Sequence, residues 1–140
     1  MNYMKQIIKN VRDCYNHIPY TWKHWIAFMK TEKKLLGYHS HWFHDWDKLI
    51  LFIFFPFLGE RIINQFHQRI NKHHPTYTTG KDWIKQLKSP REIDWVEAVI
   101  DWECARITKP DKPLNARQTL EKYYPQYKEF VEPILKELDL

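Results

Sequence analysis

The decapeptide HSHWFHDWDK, His39 to Lys48, places three histidines and two aspartates among Trp42, Phe43 and Trp46. A second cluster, INKHHP from Ile70 to Pro75, adds His73 and His74, and His67 precedes it. Farther on, Asp94, Glu97 and Asp101 follow one another at three- and four-residue spacing, which puts them on one helical stripe. Imidazole and carboxylate together suit Zn, Mn, Fe, Co or Ni, and several carboxylates also admit Mg. The chemistry these side chains have in common is thus that of a divalent-metal site. Composition alone does not require one. Eight histidines in 140 residues form chance clusters, and a histidine on an aromatic helix is more often a hydrogen-bonded core or surface residue.

Those residues need elements to hold them. Glycine occurs at only three positions, 37, 59 and 80, and no strongly alternating segment stands out, which argues against a sheet. Helix signals recur instead. Pro19 sits where a first-turn proline would open PYTWKHWIAFMKTEKKLL, with Gly37 as its stop. A second helix is expected over 39–55, ended by Pro56, since a residue before proline avoids helical geometry. On it His41 would stack with His44 and Asp45.

A third helix is expected over 59–72, and if it continues, His67 and His74 share a face. Ser89, Pro90 and Glu92 make a full start signal for the helix carrying Asp94 to Asp101. Asn115 is placed to cap ARQTLEKYY, and Pro125 to start the last helix. The segment 75–88 is ambiguous, and Pro110 and Pro113 make an extended link. The expectation is an all-α fold, a compact single-domain helical bundle over 1–140 with five to seven helices.

At 140 residues the chain has one domain's worth of sequence, with 44% hydrophobic and 28% charged residues, a globular composition. Net charge is +5, which permits an anionic partner without selecting one. Two cysteines without CxxC spacing fit a reducing, cytoplasmic setting, and the charged N-terminus lacks the apolar core of a signal peptide. The longest apolar run, LILFIFFPFL from Leu49 to Leu58, falls short of the roughly 20 residues of a membrane span. It reads first as a buried helix end and second as a segment resting at a membrane surface.

The order of the motifs sharpens the metal reading. His24, then His44-Asp45, then His67 with His73-His74, then Asp101 resembles the HD superfamily of metal-dependent phosphohydrolases. More narrowly, HDWDK, HQRINKHHP and VIDW are similar to the motifs of an HD-like family of bacteria and phages whose pattern is HD-x-S-K, H-x-x-x-N-x-H-H and an acidic helix with DW. The resemblance covers roughly residues 18 to 106, with helices over 115–138 packing on that core. Asp47 departs from the pattern, standing where the family commonly has serine; its carboxylate either binds a metal-bound water or is solvated.

Carried over, the resemblance implies an HD-type bundle in which His24, His44, Asp45 and Asp101 ligate a first metal. His67, His73 and His74 would hold or border a second, with Asp45 bridging. The sequence leaves open which of those three histidines are ligands. His17, His39 and His41 read as bystanders.

The implied activity is hydrolysis of a small phosphorylated substrate, a nucleotide being the best guess. Asp45 and Lys48 would be at the reacting centre, and Lys48, Arg69 and Lys72 would be phosphate contacts. The same ligand set would serve a di-iron oxygenase of HD type, or a degenerate fold that only binds a nucleotide, nucleic acid or protein partner. Lys81, Lys85 and Lys88 would form the basic face a nucleic-acid binder uses, though nucleic-acid binding is not expected. Trp95 and Trp102, seven apart, read first as a core stripe and second as a wall for base stacking.

Overall fold

In the computed structural model the described residues are 2–75, 91–109, 111 and 113–140. They form six α-helices and no strand: α1 Tyr3–Leu36, α2 Trp46–Phe54, α3 Glu60–Ile70, α4 Glu92–Thr108, α5 Ala116–Tyr123 and α6 Lys128–Glu137. Short 3-10 turns, Pro56–Leu58 and Pro125–Tyr127, lead into α3 and α6. The all-α expectation holds. The Ser89 and Pro90 start signal and the basic face of Lys81, Lys85 and Lys88 lie outside the described residues.

The first helix corrects the sequence reading. α1 runs for 34 residues, and Pro19 lies inside it on the exposed side instead of opening it. A proline there removes the bond its own N–H would have donated to the carbonyl of Tyr15, and its ring crowds that carbonyl. Asn2 caps the start, its side chain accepting from the N–H of Met4 at 3.2 Å. Gly37 ends the helix in the left-handed region at φ 79°, and its N–H bonds Lys33 O at 3.0 Å. Cys14, Thr21, His24, Phe28 and Thr31 mark the buried stripe, at helical spacing.

α4 is the other axis of the fold. Phe28 and Met29 of α1 pack with Ile100 and Cys104 of α4. The opposite side of α4 buries Trp95, Val99 and Trp102 against Leu120, Val131 and Leu135 of α5 and α6. Trp102 stacks on Tyr124 at 4.9 Å between ring centroids and Trp95 on Phe130 at 5.7 Å, so both tryptophans are core residues and not a base-stacking wall. Asn115 caps α5 as read: its side chain accepts from Gln118 N at 2.8 Å, and Gln118 returns the bond at 3.1 Å.

The connection from α1 to α2 is where expectation and structure differ most. Residues 39–45 are not helical; α2 begins only at Trp46. The turn is tied down by Glu32, buried at 0% exposure on α1. Its Oε1 accepts from the backbone N–H of Ser40 and of His41 at 3.1 and 3.0 Å, from Ser40 Oγ at 3.0 Å and from His41 Nδ1 at 2.7 Å. His39 Nδ1 reaches Oε2 at 3.2 Å. Asp45 closes the turn at φ 60°, a left-handed conformation that aspartate adopts more readily than most residues. The turn aims His44 and Asp45 inward without a helix to align them.

α3 likewise stops at Ile70, four residues short of carrying His74 on the same face as His67. Gly59, before α3, sits at φ 86°, and a Cβ there would come within 2.9 Å of Asn10. That close approach lets Asn10 Nδ2 donate to Phe57 O at 3.0 Å and locks the turn to α1.

Glu32→Ala should leave two backbone N–H groups and two imidazoles of the 39–41 turn without their acceptor. Urea unfolding should show a loss of about 3 kcal/mol. An unchanged midpoint would mean that the turn is held elsewhere.

Candidate metal centre

Four separate segments bring their ligands to one point: α1 gives His24, the turn before α2 gives His44 and Asp45, α3 with its following turn gives His67, His73 and His74, and α4 gives Asp101. Two groups of donor atoms, each lying within 4.8 Å of one another, could hold a metal ion. One is His24, His44 and Asp101; the other is Asp45, His67, His73 and His74. All seven residues singled out in the sequence are therefore in the cluster, and nearly all of them are buried.

Asp45 lies between the groups. Its Oδ2 is 4.0 Å from His24 Nε2, and its Oδ1 is 2.9 Å from His67 Nε2, 3.7 Å from His44 Nε2 and 3.9 Å from His73 Nε2. His24 Nε2 is 2.9 Å from Asp101 Oδ1, and His44 Nε2 is 3.7 Å from the same oxygen. The Nε2 atoms of His67 and His74 approach to 2.9 Å although no helix joins them.

The outer faces of the imidazoles are fixed by a second set of groups. Glu97 Oε1 sits 3.0 Å from His44 Nδ1 and 3.2 Å from His73 Nδ1. One carboxylate thus orients two rings and turns both Nε2 atoms inward. Thr108 Oγ1 is 3.0 Å from His24 Nδ1. Asp47 Oδ2 is 2.8 Å from His67 Nδ1 and accepts from Asn71 Nδ2 at 3.0 Å. Asp47, with its side chain 28% exposed, is turned to the outer nitrogen of His67 and positions that ring. An acceptor on one ring nitrogen fixes the tautomer and frees the other nitrogen to ligate.

Glu97, Asp47 and Thr108 were not singled out for this role. The sequence carried one signal for Glu97, its place between Asp94 and Asp101 on one stripe. Glu97 also forms a close group with His44 and His73. Those contacts use the Nδ1 atoms at hydrogen-bond distance, so Glu97 is best read as a support for the ligands.

Three buried atoms here make no hydrogen bond: His44 Nε2, Asp45 Oδ1 and His73 Nε2. Asp45 Oδ1 is near His67 Nε2 but off the hydrogen-bonding direction. Buried polar atoms are ordinarily satisfied, because each one left alone costs about 1–3 kcal/mol. Three such atoms converging among imidazoles and carboxylates are what a metal ion would satisfy, and the donor set fits one.

The electrostatics agree. Burial alone would raise the carboxyls of Asp45, Asp101 and Glu97, yet neighbouring histidines, with Lys48 at Asp45, hold all three below the ordinary carboxylate range. Burial would strip the proton from His44, but Asp45, Asp101 and Glu97 push its pKa up to about 10. His67 is raised against burial by Asp45 and Asp47. His74 is held well below its usual value by burial and by His73. In the metal-free protein, protons on imidazole neutralise the carboxylates, and a cation must displace them.

A polar cavity of about 500 Å³ opens onto the cluster. Its walls include His24, Asp45, His67, His74 and Asp101, with Lys48 and Lys109 as cations. Lys48 Nζ donates to Asp45 Oδ2 at 2.8 Å. Arg69 and Lys72 are not among the residues lining that cavity: Arg69 is exposed on α3, and Lys72 Nζ lies 4.0 Å from Asp94 Oδ2. His39 and His41 bind Glu32, and His17 lies 3.2 Å from Glu60 on the cavity wall.

No protein-family model matches the chain, and neither the curated proteins nor the solved structures yield a match. The site stands on its own geometry.

Metal binding at pH 7 should release protons, chiefly from His44, and affinity should weaken as pH falls. Titration calorimetry of Zn or Mn in two buffers of different ionisation enthalpy measures this directly; equal heats in both buffers would contradict it. Glu97→Gln should keep the fold and weaken metal affinity roughly 10- to 100-fold, since it removes the charge that aims two ligands.

Proposed function

We propose that the protein is an HD-like metal-dependent phosphohydrolase acting on a small phosphorylated molecule, a nucleotide being the best candidate. One observation carries the reading: unpartnered atoms on His44, Asp45 and His73 lie in a cluster of imidazoles and carboxylates that a polar cavity meets through His24, Asp45, His67, His74 and Asp101, with Lys48 and Lys109 on its wall. The ordered motif series supports it independently. One or two divalent ions, Mn, Fe, Zn, Co, Ni or Mg, would be held by His24, His44, Asp45, His67, His73, His74 and Asp101. A bound divalent ion supplies Lewis acidity toward a phosphoryl oxygen and toward water.

The chain's own residues do the rest. Lys48 presents an ammonium at the cavity wall, tethered through Asp45, and attracts the anionic end of a substrate. Lys109, on the same wall, adds a second ammonium beside the carboxylates of Glu60 and Asp111. Thr21, Asn64 and Gln68 offer neutral polar groups along the cavity for the remainder of the substrate. Asp45, kept ionised, anchors both Lys48 and the ligand cluster, so charge recognition and ligand geometry share one carboxylate.

A panel of nucleotides and small phosphomonoesters, assayed with each metal added back, tests the proposal. Phosphate release should depend on metal, and Lys48→Gln should lower kcat/KM about 10- to 100-fold while metal content is retained. Metal-loaded protein that releases no phosphate from any member of the panel would contradict the hydrolase reading. Iron content under air with a visible absorption band would then favour the oxidative alternative.

A further inference from the structure

His24, Phe28 and Glu32 follow one another at four-residue spacing on α1, and all three are buried on one stripe. His24 belongs to the ligand cluster, and Glu32 ties down the 39–41 turn. Phe28 lies between them. Its ring rests flat on the imidazole of His44, with 3.8 Å between centroids and 11° between planes. It also meets His41 edge-on, at 6.2 Å and 88°. Among the described residues every other ring contact of a histidine is tilted or edge-on, at 4.2 Å or more.

His44 is the ligand that most needs such a seat. It comes from a non-helical turn ahead of α2, so no helix aligns its side chain. The imidazole turns about its Cβ–Cγ bond, a torsion whose wells are broad and roughly two-fold. A flat neighbour fixes the plane of the ring but accepts both flips equally. Glu97 distinguishes the flips, because its Oε1 sits 3.0 Å from Nδ1. Nε2 then faces Asp45 Oδ1 and Asp101 Oδ1, at 3.7 Å from each. Plane and flip are thus set by different residues on different helices. A face-to-face pair this close is not the arrangement two neutral rings prefer. An imidazole made electron-poor by a bound cation is drawn to the negative face of a phenyl ring, so the stack suits a ligated His44.

We infer that Phe28 is a positioning residue of the metal centre: it holds the plane of His44 so that Nε2 meets the ion. This role rests on the metal reading of the cluster and is independent of the reaction that follows.

Two variants separate positioning from general loosening. Phe28→Leu keeps an apolar side chain and removes the flat face. Phe52→Leu makes the same change elsewhere in the core, where Phe52 packs with Cys14 and Ile63. Both should lower the urea midpoint with helical circular dichroism retained. Competition against a chromophoric chelator should show cobalt affinity about tenfold weaker in Phe28→Leu, the lower end of the loss when a ligand's outer partner is removed, and unchanged in Phe52→Leu. The visible bands of bound cobalt should shift in Phe28→Leu alone. Nuclear magnetic resonance of the metal-free parent reads the seat directly. The ring protons of His44, identified by their absence from His44→Gln, should lie upfield because they sit over the face of Phe28. Ordinary shifts for those protons overturn the inference even if Phe28→Leu does not fold. Equal losses of affinity in the two leucine variants overturn it as well. Cobalt bound alike by the parent and Phe28→Leu ends the role of Phe28 alone, whereas a parent that binds no cobalt ends the metal reading and this role with it.

Discussion

Three carboxylates, Asp45, Glu97 and Asp101, stand close together in the interior, and their charge must be balanced there. Burying unpaired charge is too costly for a small domain to sustain, so everything around them is arranged to supply positive charge or proton donors. Five imidazoles, of His24, His44, His67, His73 and His74, crowd the same volume, with Lys48 at its rim. Even so, His44 Nε2, His73 Nε2 and Asp45 Oδ1 are left without hydrogen bonds. Protons can neutralise such a cluster; they do not satisfy its geometry. A divalent cation would do both.

The fold is organised around that requirement. α1 and α4 pack together, and His24 from one meets Asp101 from the other at 2.9 Å. Each remaining ligand arrives on a short segment pinned to that pair. Glu32 pins the turn bearing His44 and Asp45, Asp47 and Asn71 pin His67, and Glu97 pins His44 and His73 together. The apolar core lies largely on the far side of α4, where Trp95 and Trp102 pack against the C-terminal helices. This separates the part that stabilises the domain from the part that carries the charge.

The side-chain cluster was legible because its information is chemical identity in a fixed order: imidazole and carboxylate at His24, His44-Asp45, the 67–74 cluster and Asp101. The helical class was legible from caps such as Asn115 and from the scarcity of glycine. Other features were not, for physical reasons. Pro19 resembles a helix start because proline suits the first turn, but within a long helix its lost donor and the crowding of its ring against the preceding turn are local costs that the packing of the 34-residue helix outweighs. The pairing of His67 with His74 seemed to need a continuing helix, whereas a turn after Ile70 brings His74 in by another path. Glu32 went unmarked, and Glu97 was marked only by its stripe with Asp94 and Asp101, because sequence spacing does not reveal which backbone or ring N–H waits opposite. The run Leu49–Leu58 looked buried, though within it only Phe52 and Pro56 are, because hydropathy records composition and not which side of a helix meets the core.

The central claim is that His44, Asp45 and Asp101 serve one metal cluster, although Asp101 is more than fifty residues from the pair in sequence. Metal stoichiometry by elemental analysis, on gently purified parent and on Asp101→Ala, tests it most directly. The parent should carry about one or two divalent ions per chain at neutral pH, and Asp101→Ala should lose most of that metal with its helical circular dichroism largely intact. A parent that binds no metal at neutral pH, or an Asp101→Ala variant that binds it as the parent does, would contradict the account.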